Sequence, residues 1–222
     1  MLKRHTLCYL DEGGIRVLWA NLESAFPDVQ TVRQMHHTFP HIPVIVRRER
    51  ETGASIPVGL SFPAFCRGSR CRAASGVPAE AAQTQYITPE QIVELGVQGG
   101  TAFSGPLRAV QALAARAHVR VGIFGSAALA IVTGLSYVHT NSDLDLVIYP
   151  EPGADIPLFA HGLEQLQKET SCMVDAELCL GDGYYGKLKE ILAKPRSILI
   201  KGGQTPKLIS YCEVQDLLHK MN

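Results

Sequence analysis

The clearest alternation of apolar and polar positions runs from Val119 to Ile148, VRVGIFGSAALAIVTGLSYVHTNSDLDLVI. A β-rich run from Val119 to Phe124 breaks at Gly125-Ser126 and continues as a helical run from Ala127 to Leu135. A second strand starts at Asp143. There Leu144, Leu146 and Ile148 alternate with Asp143, Asp145 and Val147, so the period of two sends both aspartates to one face. Two carboxylates on one part-buried face cost on the order of several kcal/mol unless a cation compensates them. The Gly125-Ser126 turn supplies the complementary half, backbone N–H groups and a hydroxyl at the positive end of a helix, which suit phosphate.

Elsewhere the pattern predicts further elements. Val44-Ile45-Val46, approached through Pro40 and Pro43, reads as a buried strand running into Arg47 and Arg48. Ile56 to Leu60 reads as a short strand ended by Pro63, and Arg70 to Val77 as another. Thr88-Pro89-Glu90-Gln91 has the residues of a helix start, and that helix runs to about Leu95 before Gly99-Gly100. A second helix follows Ser104-Gly105-Pro106, with Leu107, Val110, Leu113 and Ala114 on one side. After the aspartates come an amphipathic helix, Leu158 to Glu169, and a strand, Met173 to Leu180, in which Asp175 and Glu177 share a face. A helix from Tyr185 to Ala193, a strand from Ser197 to Lys201, an edge strand from Thr205 to Ile209 and a helix from Val214 to Lys220 close the chain. The first forty residues carry weak signals, with Trp19 and Phe26 expected in a core. This order predicts an α/β (α+β) protein. A small α+β domain over residues 1–100 precedes a mixed-sheet α/β domain over residues 101–222.

Composition narrows the function. Lysine plus arginine equals aspartate plus glutamate, 21 each, so no overall field favours nucleic acid or a membrane. Locally, six arginines between Ile42 and Pro78 face only Glu49 and Glu51, which reads either as a solvated basic face or as an anion-binding surface. The six cysteines form no C-x-x-C pair and the amino terminus has no signal-type apolar core, so a reduced, cytoplasmic setting is expected and zinc is not. The uncharged run from Val121 to Ser142 is long enough for a membrane span, but its Gly-Ser, Thr-Gly and Thr-Asn-Ser breaks argue for strand, helix and loop.

A strand ending in Gly-Ser, a helix, then a strand with Asp-x-Asp resembles the nucleotidyltransferase superfamily that includes polymerase beta. Sixteen residues separate Ser126 from Asp143, more than is usual there, and the gap holds Thr133-Gly134-Leu135-Ser136-Tyr137. With Ser142-Asp143-Leu144-Asp145-Leu146 and the Pro43-Val44-Ile45-Val46-Arg47-Arg48 segment, the set is similar to one branch. That branch is the malonate decarboxylase holo-acyl-carrier-protein synthases, or phosphoribosyl-dephospho-coenzyme A transferases.

The resemblance implies a nucleotidyltransferase-type core, with Mg2+ held by Asp143 and Asp145 and Asp175 as third carboxylate. The branch carries Asp-Gly-Glu where this chain has Asp175-Ala176-Glu177, and Glu177 is either a site acid or a solvent-facing charge. Gly125 and Ser126 would hold the donor's phosphates, Arg47 and Arg48 the donor or carrier, and Lys201 a phosphate. His5 matches an opening Arg-His of the family or is an ordinary edge-strand or surface histidine. The implied donor is triphosphoribosyl-dephospho-coenzyme A and the implied partner the acyl-carrier subunit of malonate decarboxylase. The rival readings are a nucleotidyltransferase using an ordinary nucleoside triphosphate and a catalytically silent nucleotide-binding adaptor.

Overall fold

The computed structural model describes residues 2–25, 28–47, 55–66, 69–83, 85–139, 142–170, 172–202 and 205–220, and of residues 25, 66 and 83 the backbone only. Arg48 and Phe26, singled out above, lie outside the described residues.

The chain divides into two compact units: residues 1–88 with Leu135–Tyr137, and residues 89–134 with 138–222. The division falls at Thr88-Pro89, ahead of the Gly99-Gly100 break at which the sequence suggested a boundary. The reason is packing. The helix that starts at Pro89 lies on the strand Val119–Phe124, where Gly122 leaves no room for a side chain: an added Cβ would come within 2.5 Å of Pro89 Cβ.

The N-terminal unit is built from β1 (Leu7–Tyr9), α1 (Glu12–Ala25), α2 (Val29–Thr38), β2 (Val44–Val46), β3 (Ser55–Cys66), β4 (Ser69–Pro78), α3 (Ala79–Gln83) and β5 (Gln85–Ile87). Its five strands are ordered β4-β3-β2-β1-β5, all antiparallel. Val44, Val46, Ile56, Val58, Leu60 and Phe62 turn one face of this sheet to Leu18, Leu22 and Val32 of the helices. β3 does not stop at Pro63. It continues past it because the pairing with β4 is irregular between Ser61 and Phe65, where a missing N–H is tolerated. The segment Leu135–Tyr137, inside the Thr-Gly-Leu-x-Tyr motif, packs with this unit. Tyr137 is fully buried and its hydroxyl donates to the Ser61 carbonyl at 2.8 Å. Arg70 Nη2 donates to the Tyr137 carbonyl at 2.6 Å, with the guanidinium 5.3 Å from the tyrosine ring.

The C-terminal unit comprises α4 (Pro89–Gln98), α5 (Ser104–Arg116), β6 (Val119–Phe124), α6 (Gly125–Thr133), β7 (Leu144–Pro150), α7 (Ile156–Thr170), β8 (Val174–Cys179), β9 (Tyr185–Lys187), α8 (Leu188–Leu192), β10 (Ser197–Lys201), β11 (Lys207–Ser210) and α9 (Tyr211–His219). The sheet order is β11-β10-β9-β8-β7-β6, and β7 with β8 is the parallel pair in an otherwise antiparallel ladder. Parallel neighbours need a crossover, and α7 provides it. Leu144, Leu146 and Ile148 are fully buried on one face, as the alternation predicts. The mixed helices and sheets are the α+β class expected. The expected helix from Tyr185 instead splits into β9 and α8, because the Gly181 to Gly183 turn folds the chain back as a hairpin, Leu180 N–H donating to the Tyr184 carbonyl at 2.8 Å. Among the described residues no helix is long and apolar enough to cross a membrane. Cys8, Cys71, Cys172, Cys179 and Cys212 are free thiols.

Tyr137→Phe deletes one buried hydrogen bond and leaves the Ser61 carbonyl short of a donor. It is expected to lower stability by about 1–2 kcal/mol in urea unfolding, with the circular dichroism of the folded protein unchanged.

Candidate active site

The register of β6, β7, β8 and β9 puts the chemistry on one face. Phe124 pairs with Asp145, Asp145 with Asp175, Val147 with Glu177, and Glu177 with Lys187. Asp145 and Asp175 are therefore immediate neighbours across the parallel pair, where opposed side chains stand about 5 Å apart. Asp143 precedes β7, is exposed, and lies on the same side as Asp145 by the two-residue period. On the same face Val147, Tyr149 and Tyr185 form a small apolar cluster with Phe124 and Cys179, with Phe124 opposite Asp145 and Val147 opposite Glu177.

Gly125 meets Asp145 directly. Its φ is +70°, a conformation that favours glycine, and an added Cβ would lie 2.0 Å from Asp145 Oδ2. A side chain here would strain the backbone and displace the Asp145 carboxylate. Gly125 and Ser126 open α6, whose N-cap residue, Phe124, is extended and provides no side-chain cap. The first N–H groups of the helix thus start beside the acids, at the positive end of its dipole.

Electrostatics follow from the crowding. Burial, then Asp175 and Asp143, push the Asp145 carboxyl up from 3.8 to about 7, with Glu177 adding to the shift and Lys187 opposing it. Glu177 is 5% exposed and is the one charged side chain among the described residues that is buried, so its solvent-facing reading is overturned. The Lys187 ammonium forms an ion pair with Asp175 Oδ2.

Other predicted residues stand elsewhere. Lys201 pairs with Tyr185, which pairs with Cys179, at the far end of β8 from Asp175 and about 13 Å along the strand. It is not brought to the carboxylates, and Lys187 stands there instead. The sequence hid Lys187 because Tyr185 to Ala193 has helical spacing, and only the glycine turn before it signalled a hairpin. Arg47 belongs to the N-terminal unit, where its side-chain stem lies over Gly59, 3.2 Å from where a Cβ would be. His5 precedes β1 with a φ of +71°. β1 is an interior strand, so His5 does not open an edge strand.

Divalent metal fits this donor set in a specific way. Among the described residues no three acidic, histidine or cysteine side chains converge closely enough to enclose an ion by themselves. Magnesium does not require that, since it keeps waters and typically takes one or two carboxylates plus substrate phosphates. The all-oxygen set and the charge crowding at Asp145 suit a hard cation of this type.

The fold and face define a class: an α+β protein with clustered acids beside a glycine-opened helix. Residues 85–211 match the phosphoribosyl-dephospho-CoA transferase MdcG C-terminal domain, and residues 3–89 match the N-terminal domain of the same family. The chain belongs to the phosphoribosyl-dephospho-CoA transferase MdcG family. It is 35% identical over 111 residues to a phosphoribosyl-dephospho-CoA transferase of Xanthomonas campestris pv. campestris, an alignment covering 48% of this chain and 50% of that one. A relative of the same description from Klebsiella pneumoniae is 32% identical over 142 residues, 61% of this chain and 66% of its own. One from Xanthomonas euvesicatoria pv. vesicatoria is 27% identical over 212 residues, 94% of each. The chain thus spans about half the length of the first of these relatives and nearly all of the last. No solved structure matches it.

In the metal-free protein the folded state holds the Asp145 proton up to about pH 7, whereas an unfolded aspartate releases it near 3.8. The folded state therefore binds more protons in that window, and stability falls as pH rises through it. Thermal melts in chelator are expected to show this decline between about pH 4 and 7 and to show less of it in Asp145→Asn, which melts higher than wild type at pH 8.

Proposed function

We propose that this protein transfers the phosphoribosyl-dephospho-CoA group from triphosphoribosyl-dephospho-CoA to a serine of the acyl-carrier subunit of malonate decarboxylase, releasing pyrophosphate in the cytoplasm. The observation that carries the reading is the abutment of Gly125 on Asp145, with Asp175 alongside, which sets the start of a helix against an acid cluster. The relatives' description as phosphoribosyl-dephospho-CoA transferases supplies the donor's chemistry.

In this reading the carrier serine oxygen attacks the phosphorus nearest the ribosyl group. A phosphodiester forms and the bond to pyrophosphate breaks. Bound Mg2+, held by Asp143 and Asp145, would neutralise charge on the phosphate oxygens. The N–H groups at Gly125 and Ser126 bind and orient the departing pyrophosphate. Asp175, which pairs with Asp145 across β7 and β8, accepts the serine proton in this reading.

The N-terminal unit supplies the carrier surface. Gly59 and Ser61 share the face of β3 away from the core, Arg47 lies over Gly59, and Arg72 pairs with Ser61. These two arginines on one face suit an acidic carrier protein.

Incubating the enzyme and apo-carrier with each donor, and weighing the carrier by mass spectrometry, tests the reading. The expected result is the mass of the phosphoribosyl-dephospho-CoA group from its triphosphate and little or none from ATP. An adenylyl mass from ATP alone would favour an ordinary nucleotidyltransferase. Asp143→Asn and Asp145→Asn are each expected to lower transfer by about a thousandfold or more while the fold persists. Substituting Arg47 and Arg72 together by alanine is expected to raise KM for the carrier roughly fivefold and flatten its dependence on salt, with kcat little changed.

A further inference from the structure

Lys187 stands where a simple acid-and-metal site has no need of a lysine. It is the last residue of β9, its backbone pairs with Glu177, and it also serves as N-cap of α8, so its Cα is held from both sides. The next residue, Leu188, and Ile191 are buried beneath α8 and fix that turn. From this anchored position the ammonium reaches diagonally to Asp175, two residues up the same face from Glu177. The pair is only partly in solvent, with the lysine side chain 31% and the aspartate 36% exposed. Of the charged groups acting on Asp145, Asp175, Asp143 and Glu177 are acids and Lys187 is the base among them.

We propose that Lys187 is a resident counter-cation that competes with the divalent metal for Asp175, keeping metal binding weak in the absence of the donor. The inference rests on the metal-and-triphosphate reading given above and adds to it an order of filling. A cation entering the free protein finds Asp143 and Asp145 but meets Asp175 already neutralised. It thus has two carboxylates rather than three, next to a fixed positive charge. A triphosphate brings several negative charges of its own, which give metal and lysine separate partners. Metal then binds with the donor rather than before it, and Asp175 is released where the serine proton must go. Lys187 acts through Asp175, so it is a positioning residue rather than a catalytic one.

The test is the affinity for Mn2+, used in place of Mg2+, measured on the full chain without donor from the electron paramagnetic resonance signal of the free ion. Lys187→Met is expected to bind Mn2+ about tenfold more tightly than wild type, because Asp175 becomes an available ligand and a neighbouring positive charge is gone. Lys187→Arg, which keeps the ion pair, stays near wild type. The double variant Asp175→Asn with Lys187→Met returns to within about twofold of wild type, since the freed ligand is no longer there. Lys187→Gln, closer in length and polarity, is carried in parallel, with thermal melts of all variants. Unchanged affinity in folded Lys187→Met and Lys187→Gln would overturn the proposal, as would tightening that persists in the double variant. If Mn2+ binding disappears in Asp143→Asn yet ignores Lys187, only the role of Lys187 falls. If wild type and every variant fail to bind Mn2+, the metal reading falls with it.

Discussion

Negative charge concentrated on one face of a mixed sheet is the constraint that the C-terminal unit answers. Asp145 has Asp175 beside it, Asp143 two residues before it and Glu177 diagonally across, and burial weakens the water that would screen them. Three features offset the repulsion. The positive end of α6 opens against Asp145, Lys187 is delivered by the β9 hairpin, and a proton is retained on Asp145 to near-neutral pH. The helix end is fixed, while the proton and the lysine ion pair are exchangeable. A fixed salt bridge to every acid would be as well satisfied electrostatically and would leave no valence for a ligand.

Much of this site was legible in the sequence because it is local. The strand, glycine turn, helix and acid strand follow one another within thirty residues, and a period of two is enough to place Asp143 and Asp145 on one face and Asp175 with Glu177 on another strand's face. What was not legible depends on pairing between strands. Lys187 and Lys201 are both lysines at the ends of predicted elements, and only the register with β8 puts the first beside Asp175 and the second at the opposite end. Alternation alone leaves Glu177 either a site acid or a solvent-facing charge, and the pairing of its strand with β7 on one side and β9 on the other decides that it is buried. The helices α1 and α2 were missed for a different reason. A Gly13-Gly14 pair near the start of α1 and a polar stretch in α2 give low intrinsic helix preference, which packing on the sheet overrides.

The N-terminal unit shows the same division. Its strand Val44–Val46 and the arginine after it were readable, while the course of β3 past Pro63 depended on an irregular pairing that no single stretch announces. The Thr-Gly-Leu-x-Tyr motif has a physical basis here. Gly134 takes a φ of +69° to end α6, and Tyr137 follows as a buried ring whose hydroxyl, carbonyl and face are all engaged within that unit.

The single parallel pair has a consequence for how the protein comes into being. β6 and β7 pair as antiparallel neighbours, whereas the parallel β8 reaches β7 only through the crossover helix α7. Asp175 meets Asp145 only when a loop of about thirty residues closes. A slip of one residue at that moment would turn Asp175 and Glu177 into the apolar layer and bring Val174 and Ala176 out in their place. Taking the part-exposed Asp175 away from solvent and from Lys187 would cost more than that register gains, so the same charges that crowd the finished site also favour its correct register.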